Sequence, residues 1–230
     1  MLDVLDAGAL DQLQCWFGGG TAIVLRFGEY RESVDIDFLV SDLDSYRQLR
    51  QLLKGRIDIA PLQREGTVAV VSRRELRADQ YGIRATLDVD GGPIKFEIVL
   101  EGRIRFERSG AADTVCGVST LSMTDLAASK LLANSDRWRD DSVFSRDAID
   151  LAMMDLSPRK LRPALDKAGE AYGEAINIDM HRAIAGLRER PGHLQRCIDA
   201  LSIELPAAVV LQHLRKLERR LDAAAKEGLT

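Results

Sequence analysis

Residues 17–40 read FGGGTAIVLRFGEYRESVDIDFLV, and this stretch decides the fold. Gly18, Gly19 and Gly20 lead into Thr21 and a short apolar run that predicts a helix over 21–26, ended near Gly28. From Val34 to Val40 apolar residues alternate with Asp35 and Asp37, and Val, Ile and Phe favour a strand. Two residues apart on a strand, Asp35 and Asp37 point to one face. Like charges side by side on a sheet repel, so a purely structural strand has little use for them. A divalent cation relieves that repulsion, and Mg²⁺ commonly takes one or two carboxylates together with substrate phosphates. Upstream, glycines before a helix let backbone N–H groups approach a phosphate, and the helix N-terminus favours anions. A phosphate cradle and a carboxylate strand therefore fall within one short unit.

Outward from this unit, 230 residues suffice for one large domain, or for a core with a helical appendage. The apolar fraction of 46% with 30% charged residues is that of an ordinary globular chain. The formal net charge of −4 argues against a general nucleic-acid coat, and it is unevenly spread. Residues 158–230 carry 13 Lys/Arg against 10 Asp/Glu, while residues 1–157 carry 19 against 26. The basic excess of the C-terminal part is a weak pointer to an RNA-binding surface. Cys15, Cys116 and Cys197 are odd in number and far apart. They fit neither zinc spacing nor a disulfide framework, and buried free thiols in a reducing cytoplasm are expected. No signal peptide and no membrane span are expected.

Along the chain, residues 3–15 predict a short amphipathic helix, and Cys15-Trp16-Phe17 a brief strand entering the glycines. Ser41-Asp42 offers a cap for a helix over Leu43–Leu53. Strands are expected over Thr67–Ser72, Tyr81–Asp88 and Ile94–Leu100, with a hairpin turn at Gly91-Gly92 between the last two. From Leu121 the pattern turns helical. Helices are expected from Ser122 to about Ala133, from Ser145, from Pro158, and over 170–188, 193–202 and 206–226. The fold class is α+β, a small mixed sheet followed by a helical C-terminal half.

Gly19-Gly20-Thr21 followed by Arg31-x-Ser33-x-Asp35-x-Asp37-Phe38 resembles the nucleotidyltransferase superfamily with a polymerase-β-like core, and most closely the AbiEii/AbiGii-type toxins of type IV toxin–antitoxin systems. The resemblance extends to Lys130 in Lys130-Leu131-Leu132-Ala133 and to Arg146-Asp147-Ala148-Ile149-Asp150, where the family pattern begins with Lys. It covers about residues 15–155. It implies a nucleotidyltransferase core over 1–120 and a helical region over 121–230 that completes the active-site cleft. It implies transfer of NMP from an NTP to an acceptor hydroxyl with Mg²⁺ or Mn²⁺, and a partner antitoxin. For the acceptor it suggests tRNA. The alternatives are a small molecule or protein acceptor, or a nucleotide-binding regulatory protein without turnover.

On this reading Asp35, Asp37 and Glu97 are the metal-binding and catalytic carboxylates, Glu97 reaching the metal or serving as general base. The plain alternatives are two solvated acids on an exposed strand face for Asp35 and Asp37, and a Lys95–Glu97 pair on a solvated strand face for Glu97. Gly19, Gly20 and Thr21 would hold phosphates, where a tight strand–helix turn would also select glycine. Ser33 belongs to the same binding set. Arg31 either clamps phosphate or pairs beside Asp37. Lys130 would face the nucleotide, against the usual solvated helix lysine. Asp147 and Asp150, three apart on a helix, share a face and join the catalytic set, although an acid such as Asp147 in a first helical turn also serves the helix dipole. Trp138, in a charged stretch, reads as part of a connector.

Overall fold

A computed structural model describes residues 1–226. The chain divides into two compact units, Met1–Ala22 with Ser33–Ser122, and Ile23–Glu32 with Met123 onward.

The first unit contains α1 (Ala7–Gln12), β1 (Trp16–Phe17), the start of α2 (Gly19–Arg26), β2 (Ile36–Val40), α3 (Leu43–Leu53), β3 (Arg77–Ala78), β4 (Gly82–Val89), β5 (Gly92–Leu100) and the small ribbon β6 (Thr114–Val115) and β7 (Val118–Ser119). Five strands form one sheet in the order β1-β2-β5-β4-β3. Only β2 and β5 run parallel; the other pairs are antiparallel, so the sheet is mixed. Strand alternation separates its faces. Ile36, Phe38 and Val40 of β2, Ile83 and Leu87 of β4, and Phe96 and Ile98 of β5 are buried. The ring of Phe38 lies between Phe17 at 5.6 Å and Phe96 at 6.0 Å. Tyr46, Leu49 and Leu53 of α3 are buried too, and Asp42 caps that helix by accepting from the Ser45 N–H at 2.8 Å. The opposite face of the sheet carries Asp37, Glu97, Lys95 and Arg84.

The second unit is helical: α4 (Met123–Arg137), α5 (Arg146–Met153), α6 (Pro158–Tyr172), α7 (Ala175–Glu189), α8 (His193–Ala200) and α9 (Ala207–Lys226). Val210, Leu214, Leu217, Leu221 and Ala224 recur at three- and four-residue steps along α9 and are all buried, giving one apolar stripe. That stripe packs across α5, α6 and α7. Lys167 reaches the buried carboxylate of Asp125 at 2.6 Å and fastens α6 to α4. Among the described residues no helix is long and apolar enough to cross a membrane.

Several local expectations shift. The strand expected over Thr67–Ser72 is absent, with only isolated bridges at Val71 and Ser72. The Gln63 side chain takes the backbone groups that a ladder needs, donating to the Val68 carbonyl at 2.9 Å and accepting from Val70 N–H at 2.8 Å. The hairpin turn falls at Asp90-Gly91, one residue earlier than expected. Both residues have positive φ, 50° and 81°, as a two-residue type I′ turn demands, and Gly92 starts β5. The helix expected over 3–15 is split, because Asp6 accepts from the Ala9 N–H at 3.0 Å and starts α1 afresh. The helix expected over 170–188 is interrupted at its start: α6 runs on to Tyr172 and α7 begins at Ala175. Cys15 and Cys197 are buried as expected, but Cys116 is exposed, in the β6–β7 turn with φ of 49°.

Phe38→Ala removes the ring at the centre of the sheet's apolar face. It is expected to lower stability by about 3–5 kcal/mol, and Phe38→Leu by much less, measured as urea unfolding of purified protein.

Candidate active site

The glycine turn and the carboxylate strand meet in the first unit. Gly18 N–H donates to the Asp37 carbonyl at 2.8 Å, which lays the turn alongside β2. Gly19 then starts α2 with φ of +67°, a conformation that favours glycine. A Cβ on Gly19 would stand 2.4 Å from Asp37 Oδ2, so only a bare backbone lets the carboxylate approach this closely. The first turn of α2 has no preceding turn to receive its N–H groups, and Gly19 and Gly20 are partly exposed there. Thr21 is buried, its hydroxyl 2.8 Å from that of Ser33, which ties the start of α2 to the approach to β2.

Asp37 pairs in parallel register with Glu97, so both side chains rise from the same face on neighbouring strands. Glu97 pairs in turn with Arg84, and Arg84 with Arg77. A row therefore crosses the sheet: Asp37, Glu97, Arg84, Arg77. Glu97 Oε1 stands 3.3 Å from Arg84 Nε and 3.3 Å from Lys95 Nζ. The Lys95–Glu97 pair read from the sequence is thus present, beside a second cation from β4. Asp35 precedes β2, which begins at Ile36, and is half-buried.

Among the described residues no three His, Cys, Asp or Glu side chains are placed to hold a metal ion together. Asp35, Asp37 and Glu97 accordingly do not form a closed three-carboxylate set, and the cations beside Glu97 supply a physical reason. Asp35 and Asp37 remain a hard oxygen pair of the kind that suits Mg²⁺ or Mn²⁺, which need only one or two protein carboxylates when substrate phosphates complete the shell.

The other sequence-predicted residues belong to the second unit and converge on one buried carboxylate. Asp150 of α5 is fully buried. Its Oδ1 accepts from Tyr30 Oη at 2.7 Å and Arg31 Nε at 2.8 Å; its Oδ2 accepts from an Arg31 terminal nitrogen at 2.9 Å and stands 2.6 Å from Lys130 Nζ. Lys130 also donates to Asp147 at 2.9 Å, and Arg137 grips Asp147 through two nitrogens at 2.7 and 2.9 Å. Arg31 is therefore in a bidentate pair with Asp150, neither of the two arrangements expected for it. Lys130 lies between two carboxylates of its own chain.

The protonation of the cluster follows from this crowding. Burial opposes the charge on Asp150 and Asp147, but Lys130, with Arg31 for the one and Arg137 for the other, outweighs it and holds both carboxyls below the ordinary range. Burial likewise opposes the Lys130 and Arg31 charges, and the carboxylates more than offset it. Burial first, then the Asp150 charge, pushes the Tyr30 phenol up.

Sequence reasoning missed Tyr30 and Arg137. Arg137 carried a usable signal, since it stands two helical turns after Lys130 on the same face of α4. Tyr30 carried none beyond its place next to Arg31. His193 of α8 is also buried, with Arg196 2.9 Å from Nδ1, and burial lowers its pKa.

A mixed sheet with a glycine turn opening a helix against its carboxylate strand, followed by a helical unit, is the frame of a nucleotidyltransferase. The fold matches that of a candidate nucleotidyltransferase from H. pylori, with a TM-score of 0.54 and 13% identity over 96% of this chain and 90% of that one. MenT4, a nucleotidyltransferase toxin from Mycobacterium tuberculosis, aligns at a TM-score of 0.48 and 15% identity over 90% of this chain and 75% of that one. JHP933 from Helicobacter pylori aligns at 0.40 and 16% over 94% and 92%. No curated protein sequence matches. The model of the family described as "Nucleotidyl transferase AbiEii toxin, Type IV TA system" matches residues 3–227, and the chain belongs to that family. It is a nucleotidyltransferase toxin of a toxin–antitoxin system, and the family implies an NTP substrate and an antitoxin partner.

Asp150→Asn leaves Arg31 and Lys130 short of a counter-charge in a buried site. A loss of about 3–5 kcal/mol is expected in urea unfolding at neutral pH. In the wild type, the depressed carboxyls of Asp147 and Asp150 contribute stability that is fully present above the unfolded carboxylate value of about 3.9 and is lost as pH falls below it toward their folded values. Acid titration of stability is therefore expected to be flatter below about pH 4 in Asp147→Asn/Asp150→Asn than in the wild type.

Proposed function

We propose that the protein transfers NMP from an NTP to the hydroxyl of a tRNA, using a divalent cation held by Asp35 and Asp37. The observation that carries this reading is the Asp37 carboxylate, fitted against Gly19 at the start of α2 and in register with Glu97. The N–H groups of Gly19, Gly20 and Thr21 point a triphosphate's charge toward the N-terminus of α2, where an anion is favoured. Ser33 holds Thr21 so that this first turn stays in place. When bound, the cation would neutralise phosphate charge and polarise the attacking hydroxyl.

In the transfer step the acceptor oxygen bonds to the α-phosphorus, and the bond to the β-phosphate bridging oxygen breaks in line, so pyrophosphate leaves. Glu97 receives the proton of the acceptor hydroxyl, its position set by its pairing with Asp37 and its orientation by Arg84 and Lys95. Catalysis rests on positioning and charge neutralisation rather than on a covalent protein intermediate. Lys130, Asp147 and Asp150 serve the same activity by holding the Tyr30–Arg31 segment in a fixed conformation within the second unit.

The test is incubation of purified protein with each α-³²P-labelled NTP, Mg²⁺ and total bacterial tRNA. Label on RNA is expected with at least one nucleotide, falling by roughly 10³-fold or more in Asp37→Ala. Gly19→Ala, which drives a methyl into Asp37, is expected to cost about 10²-fold. Chelation of the cation by EDTA is expected to abolish transfer. Unlabelled RNA together with retained NTP binding would overturn the tRNA acceptor and point to a small-molecule or protein hydroxyl.

A further inference from the structure

The same sheet face that carries Asp37 and Glu97 continues into an open groove of about 600 Å³ between β4, β5 and the segment 72–75. Its cations are Arg73, Arg74, Arg84 and Lys95, against the two acids Glu75 and Glu97. This excess stands out, because residues 1–157 carry 26 Asp/Glu against 19 Lys/Arg. Strand register explains the gathering. Arg84 pairs with Glu97, and Thr86 with Lys95, so these four side chains share one face and line the groove. Arg74 is exposed and has no ion pair among the described residues. Arg73 is held only by an exposed pair with Asp88 at 2.8 Å, a kind that is readily exchanged for another anion.

We infer that this groove binds phosphates of a nucleic-acid acceptor, carrying the backbone of the nucleotides that precede the reacting end. The inference rests on the reading of Asp37 and Glu97 as the transfer site. Three features select a polyanion over a compact acceptor. The lining has no aromatic side chain and, apart from Ala85, only polar or charged residues, whereas small-molecule sites are lined mostly by hydrophobic and aromatic side chains. Guanidinium groups match phosphate oxygens in pairs. The groove also lies one to two strands from β2, roughly 5–10 Å across the sheet, rather than at the glycine turn where a triphosphate would sit. With no stacking platform the groove holds backbone and does not read bases, so binding depends on salt and is indifferent to sequence.

The experiment compares the wild type with Arg73→Ala/Arg74→Ala and with Arg73→Lys/Arg74→Lys. Binding of fluorescein-labelled tRNA is followed by anisotropy across a salt series, beside binding of a fluorescent ATP analogue. The alanine variant is expected to bind tRNA about tenfold more weakly at low salt, with the slope of log K against log salt reduced by about 2. The lysine variant is expected to keep most of the affinity, and the ATP analogue to bind all three proteins alike. Unchanged tRNA affinity in an alanine variant with wild-type circular dichroism overturns the inference. So does a loss confined to the ATP analogue, which would make the groove a triphosphate subsite. Because the readout requires no turnover, Asp37→Asn separates the two readings: it is expected to bind tRNA as the wild type does. Transfer activity surviving in Asp37→Asn would remove the transfer-site reading while the binding result stood.

Discussion

The helical unit depends on one buried carboxylate. Both oxygens of Asp150 are saturated, each with two partners, and these partners come from two different segments of chain. A lone carboxylate in such a place would cost several kcal/mol, and it is tolerated only because Lys130 and Arg31 stand against it with hydrogen-bond geometry. The consequence is directional. Tyr30 and Arg31 lie in a ten-residue excursion, 23–32, that belongs to the same compact unit as the helices. The Asp150 interactions, and the Glu32 N–H to Leu201 carbonyl bond at 3.3 Å, fix the end of that excursion. A purely apolar anchor would have held the segment less specifically, because dispersion and burial have no preferred direction, whereas a bidentate guanidinium–carboxylate pair does.

Much of this was legible in the sequence, and the reasons differ by element. The alternation through Val34–Val40, the cap at Asp42 and the 3–4 stripe of the last helix are local signals, and each decides an element on its own. The glycine turn was legible because a positive φ and a close backbone approach, both present at Gly19, favour glycine. The absent strand at Thr67–Ser72 was not legible, since the competitor is a single glutamine side chain, Gln63, whose bonds to Val68 and Val70 depend on a local fold that composition does not encode. Tyr30 was invisible for a related reason: its partner is 120 residues away, and no periodicity links them. Arg31 and Lys130 were noticed as charges that a nucleotide would attract. Spacing alone does not tell a cation aimed at phosphate from one aimed at a buried aspartate, because both need the same guanidinium or ammonium group.

The polar face of the sheet follows from its apolar face. Phe38 pairs with Ile98 and Ile36 with Phe96 in the parallel register of β2 and β5, and all four are buried. Between these pairs falls Asp37 opposite Glu97. A slip of one residue would turn β5 over relative to β2, burying Lys95, Glu97 and Val99 and expelling Phe96 and Ile98 into water. The hydrophobic cost of that slip, about 1.5–3 kcal/mol for each large side chain exposed, exceeds what two half-exposed carboxylates gain by moving apart. The core therefore holds two like charges side by side against their repulsion. Electrostatic relief comes from Arg84 and Lys95, each 3.3 Å from Glu97. The sign of the sheet's charge changes between Glu97 and Arg84, along the row that runs from Asp37 to Arg77. A single strand register thus sets a carboxylate end and a cationic end on one face of the sheet.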